Sequence, residues 1–103
     1  MPIAVAVFED EISPRFDCCA EIAFLGEGDE FLSAERIPLK GNDSERRIRM
    51  VLEKACHTLL CGGIRKQDRF RLMASGVTIL DGLSGPVADR IRELQTGGME
   101  RNE

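Results

Sequence analysis

Cysteine is the most reactive residue type on offer in this 103-residue chain, and there are four of them: Cys18, Cys19, Cys56 and Cys61. Cys61 opens the run Cys61-Gly62-Gly63-Ile64-Arg65, a thiol followed by a glycine-rich turn and a base. A thiolate is a soft donor that suits iron–sulfur clusters, copper(I) and zinc. Just before a helix N-terminus it meets free N–H groups and a positive dipole end, which favour ionisation. Gly62 and Gly63 let backbone approach an anion closely, and Arg15 could neutralise one. The chain has no CxxC pair and only one histidine, His57, so zinc-finger and ferredoxin spacings are excluded. A second chemistry also fits the run at Cys61: it could hold an anionic substrate or carry a persulfide.

These residues meet only if the chain folds appropriately. Ile3 to Phe8 is a nearly continuous apolar run, as in a strand buried on both faces. Ala20 to Leu25 and Glu30 to Pro38, separated by Gly26-Glu27-Gly28-Asp29, predict a hairpin. After Gly41-Asn42-Asp43-Ser44, the spacing of Ile48, Val51, Leu52 and Ala55 predicts a helix. Thr58 to Cys61 predicts a fourth strand, Lys66 to Ser75 a second helix closed by Gly76, and Val77 to Leu80 a fifth strand. A third helix follows Ser84-Gly85-Pro86, with Val87, Ile91 and Leu94 as its stripe, and ends at Gly97 or Gly98.

This order predicts an α/β domain over residues 1–96, with a frayed tail at 97–103. Its sheet is mixed and five-stranded. The first, fourth and fifth strands are parallel and central, and the hairpin lies on one flank. Ligands in open sheets sit outside the carboxyl ends of the strands. Cys61, Arg15 and the Cys18-Cys19 pair then share one edge, although 42–43 positions separate the cysteines. Alternation turns one of Cys18 and Cys19 inward. Cys56 and His57 fall at the other edge and read as structural.

Composition narrows the function. The chain is 43% hydrophobic and 31% charged, as a globular domain is. Without Trp or Tyr, and at net charge -4, nucleic acid is not an expected partner. The first and fourth strands contain no carboxylate to hold catalytic metal, which argues against a nuclease. No apolar run reaches membrane-spanning length and no signal peptide is evident, so a cytoplasmic protein with reduced thiols is expected. Charge is segregated: residues 44–75 hold eight bases and three acids, whereas residues 1–43 hold three bases and ten acids. The basic segment suits an anionic cofactor or an acidic partner protein.

The pattern from residue 2 to 95 resembles the dinitrogenase iron-molybdenum cofactor biosynthesis family, the NifX-like cofactor-binding domains. The resemblance rests on Ile3-Ala4-Val5-Ala6-Val7, Ile12-Ser13-Pro14-Arg15-Phe16-Asp17, Leu60-Cys61-Gly62-Gly63-Ile64 and Gly76-Val77-Thr78-Ile79, followed by a helix with Ala88 and Leu94. It implies a ribonuclease-H-like three-layer fold and a non-catalytic role: binding, carrying or handing on an iron–sulfur or iron–molybdenum type cluster, with a cofactor-synthesis or acceptor protein as partner. Cofactor contacts are then expected at Ser13, Arg15, Phe16, Cys18, Cys19, Cys61, Gly62 and Gly63, with Cys61, Cys19 and Cys18 as metal ligands. Where many members carry a histidine two residues after the loop serine, this chain carries Arg15.

Overall fold

A computed structural model describes residues 2–97; the predicted tail from residue 98 onward lies outside the described residues. The strands are β1 (Ile3–Phe8), β2 (Glu11–Ile12), β3 (Glu21–Leu25), β4 (Glu35–Pro38), β5 (Thr58–Leu60) and β6 (Thr78–Leu80). The helices are α1 (Ser44–Glu53), α2 (Lys66–Ala74) and α3 (Val87–Gln95). The sheet runs β4-β3-β1-β5-β6, with β1, β5 and β6 parallel and β3 and β4 antiparallel. Among the described residues, no helix is long and apolar enough to cross a membrane.

Alternation along β1 makes three layers. Ile3, Val5 and Val7 face α3, packing with Ala23, Leu25, Leu60, Val87 and Ile91. Ala4 and Ala6 face the other way, joining Ile22, Phe24, Ile48, Val51, Leu59 and Leu72 under α1 and α2. Val5 is completely buried, a contribution of about 1.5–3 kcal/mol for such a side chain. Asp43 caps α1 by accepting the Arg46 N–H at 3.2 Å. Gly76 follows α2 at φ 92°, the left-handed geometry expected there.

Four details correct the sequence-based expectation. The sheet has six strands, not five. β5 pairs only with Ile3 to Val5 of β1, and the two-residue β2 takes the vacated side at Val7 and Phe8. A two-residue strand is too short to leave a periodic signal. The last strand, β6, is at the edge rather than central, pairing with β5 alone among the described residues. The strand expected from Glu30 begins at Glu35, since Phe31–Ser33 form a 3₁₀ turn. Ala55 lies beyond α1, exposed and at φ 55°, so it is not part of the helix stripe.

Candidate functional site

The carboxyl ends of β1 and β5 are joined by a backbone seam. After β2, the chain turns across the end of β5, and Arg15 pairs in parallel with Gly63. The Gly63 N–H donates to the Pro14 carbonyl at 2.6 Å, and the Phe16 N–H donates to the Gly63 carbonyl at 2.8 Å. Gly62 is what makes this seam possible. A Cβ there would lie 2.4 Å from the Ser13 carbonyl oxygen and 2.8 Å from that of Pro14. The sequence suggested that this glycine admits a ligand; the structure fills its free side with the protein's own loop. Gly63 remains exposed.

Beside the seam is an open cleft of about 240 Å³ lined by Arg15, Asp17, Gly63, Ile64 and Arg65. Arg15 donates from Nε and Nη2 to the two Asp17 carboxylate oxygens, each at 3.0 Å. Its guanidinium holds the Asp17 carboxyl below its ordinary range. Arg65 donates from Nε to Asp68 at 3.2 Å and from Nη2 to Ser44 Oγ at 2.6 Å. Both guanidinium groups are therefore braced, and each keeps Nη1 without a partner among the described residues. Arg65 is also the N-cap of α2 and has no side-chain cap of its own. A rigid fork of donors matches a compact anion.

The thiols divide. Cys18 is exposed, whereas Cys19, Cys56 and Cys61 are buried. Burial pushes the Cys61 thiol up to about 12 and raises Cys19 as well, so both stay protonated at neutral pH. Cys19 and Cys61 share the core beneath α1 and α2 with Phe16, which anchors the loop from below. Ser13 is buried too, its Oγ donating to the Arg15 carbonyl at 3.0 Å. Of the eight residues singled out from sequence, Arg15, Cys18 and Gly63 are exposed, while Ser13, Phe16, Cys19, Cys61 and Gly62 are buried beneath the seam. Among the described residues, no group of three or more His, Cys, Asp and Glu is arranged to hold a metal ion.

Three residues outside the expected cofactor contacts matter here. Asp17 braces Arg15, and the Arg15-Phe16-Asp17 spacing was its only signal. Arg65 stands directly before a helix. Arg47 is completely buried, and its guanidinium donates to the carbonyls of Cys19 at 2.7 Å, Gly41 at 3.0 Å and Asp43 at 3.0 Å. It ties the far end of the loop to the start of α1. Its position one turn before Val51, on the apolar stripe, is a sign of burial.

Two larger grooves lie elsewhere. One, about 540 Å³, runs between the 3₁₀ turn and α3. Its Arg36 is already engaged by Asp10, Glu21 and the Glu9 carbonyl. The other, about 340 Å³, contains His57 at the opposite sheet edge, with Nε2 2.7 Å from a Glu27 carboxylate oxygen. Neither is bordered by a glycine seam between two loops.

No protein-family profile matches the chain, and no curated protein matches its sequence. Solved structures do match its fold. The protein designated PH0822 superposes with TM-score 0.82 at 18% identity, covering 94% of this chain and 90% of that one. The apo form of the orange protein from Desulfovibrio gigas gives 0.77 at 20% identity, covering 93% and 88%. A Methanocaldococcus jannaschii protein provisionally assigned as a dinitrogenase gives 0.70 at 17% identity, covering 94% and 89%. The chain thus has the mixed α/β fold of these proteins over nearly its whole length.

Proposed function

We propose that this chain is a non-catalytic accessory protein, a NifX-like domain of ribonuclease-H-like fold that binds or carries a metal–sulfur cofactor. The observation that carries this reading is the cleft at the carboxyl edge. Two guanidinium groups, each braced by a carboxylate, and the backbone of Gly63 border a space of about 240 Å³. That is small for a nucleotide and suits a compact anionic cluster of iron–sulfur or iron–molybdenum type. Fold likeness to the orange protein and to the dinitrogenase-assigned protein supports the same reading.

The donor set favours retention by charge and backbone over ligation by several thiolates. Cys18 is the one thiol open to solvent, and Cys19 and Cys61 are protonated in the core. When bound, such a cluster would supply its own inorganic sulfide and redox chemistry. The chain's residues do the holding: Arg15 and Arg65 donate to its anionic surface, Gly63 lets it approach the backbone, and Ile64 shields one side. An open cleft of this kind suits hand-over to a cofactor-synthesis or acceptor protein. The four free cysteines fit the reducing cytoplasm. The alternative of thiol-based sulfur handling by Cys61 needs that thiol to reach solvent. Protein purified without oxygen decides between the two. A visible charge-transfer band with bound metal supports the cofactor reading; a colourless, metal-free protein that takes up persulfide sulfur at Cys61 supports the alternative.

A further inference from the structure

α2 is not a conventional amphipathic surface helix. Only Asp68 and Leu72 are buried along it. Two of its large apolar side chains point outward: Phe70 is 75% exposed and Met73 is 50% exposed. They lie three residues apart, one turn along the same face, and Lys66 is four residues before Phe70 on that face. Arg71 reaches across to Glu45 of α1, and Arg49 approaches the same carboxylate at 3.6 Å. One acid therefore stands against two guanidinium groups. Arg46 and Lys66 are exposed, and their side chains have no ionic partner among the described residues. The result is an exposed apolar pair on α2, with surplus positive charge on the same helix and on neighbouring α1, in a chain whose net charge is -4.

We infer that the exposed side of α2, with Phe70 and Met73 as apolar anchors, Lys66 and Arg71 on the same helix and Arg46 and Arg49 on neighbouring α1, docks an acidic partner protein that has an apolar recess. The inference goes beyond the cofactor reading and does not depend on what the cleft holds. A buried apolar anchor bordered by a polar rim is the usual anatomy of a binding hot spot. The surplus charge selects an acidic surface and speeds encounter with it. A protein is favoured over an extended polyanion, because the acidic remainder of the chain repels a nucleic acid or an anionic bilayer. It is favoured over a two-fold dimer of this chain, because that pairing sets the basic face against itself.

The test uses the full chain labelled with ¹⁵N and a synthetic helical peptide carrying a leucine stripe flanked by glutamates. Binding is expected to shift the amide signals of residues 45–49 and 66–74 and to weaken as salt rises. Phe70→Ser should lower affinity by about tenfold, as loss of a central aromatic anchor does. Met73→Ser should lower it less. Lys66→Glu with Arg49→Glu should abolish the salt dependence. Since these side chains are exposed, the variants should melt as the wild type does, and Met73→Ser serves if Phe70→Ser does not. The inference is overturned if the peptide fails to bind, or if a lysine-flanked version binds equally well. It is also overturned if phosphatidylserine vesicles compete successfully for this face, or if the chain self-associates through it.

Discussion

Gly62→Ala isolates the seam on which the candidate cleft is built. The new Cβ would fall 2.4 Å from the Ser13 carbonyl oxygen and 2.8 Å from the Pro14 carbonyl oxygen. Both neighbours are backbone, so no rotamer change relieves the clash. The loop must lift, and the bonds from the Gly63 N–H at 2.6 Å and the Phe16 N–H at 2.8 Å must lengthen or break. Overpacking of this kind costs about 1–3 kcal/mol, and a buried hydrogen bond left unmade costs about 1–3 kcal/mol more. The expected loss is about 3 kcal/mol, a large share of the roughly 5–15 kcal/mol that stabilises a domain. For a chain of this size that is about 15 °C in melting temperature. Urea and thermal denaturation measure it directly. Gly63→Ala is the internal control: its Cβ meets only Pro14, at 3.1 Å, and should cost about 1 kcal/mol. If Gly62→Ala melts within a degree or two of the wild type, or if the two variants are equally stable, the seam does not exist as described.

Arg47→Ala should destabilise by about 3–5 kcal/mol, because three backbone carbonyls lose their donor at once; a loss below 1 kcal/mol in a urea titration would show the carbonyls are otherwise satisfied. In the native state one thiol per chain, Cys18, should react rapidly with a disulfide reagent, and Cys19, Cys56 and Cys61 only after unfolding; fast labelling of Cys61 would place it at the surface. Stability should also fall on the alkaline side. Burial raises Cys56 to about 11 and Cys61 to about 12 from an ordinary 9.0, so the folded chain keeps protons that the unfolded chain releases. Their contribution is complete below pH 9.0 and is lost as pH rises towards the folded values. Cys61 alone contributes a slope of about 1.4 kcal/mol per pH unit in that window. Urea midpoints from pH 8 upward should fall less steeply in Cys61→Ala than in wild type, and parallel curves would contradict the burial.

The strongly periodic parts of the chain were legible. β1, the β3–β4 antiparallel pair, the three helices and the shared edge of Arg15 and Cys61 all follow from apolar runs, turn residues and β-α-β connections. What escaped was short or dictated by tertiary contact. β2 is two residues long, and which strand lies at the sheet edge, here β6, is set by sheet order rather than by any local pattern. Cys61 illustrates a subtler limit. Its place at a strand end before a glycine turn is compatible with a ligand and with core alike, and packing by Phe16 and Cys19 gives it the core. Gly62 likewise reads as a ligand cradle or as space for another strand of backbone. Only the approach of Ser13 and Pro14, about 50 positions away, distinguishes the two. The bracing of Arg15 and Arg65 needs Asp17, Asp68 and Ser44, and such side-chain pairings leave no periodic trace.

Anaerobic reconstitution with iron and sulfide, read by bound metal per chain and visible absorption, tests the central claim most directly. Wild type and the Cys18→Ser, Cys19→Ser, Cys61→Ser triple variant should bind comparable cluster once both are shown to be folded. Arg15→Ala with Arg65→Ala should lose most of it, with the remaining binding weakened by salt. Cluster retained by the arginine variant and lost from a folded triple cysteine variant would contradict retention by charge and backbone, and would return the site to its thiolates.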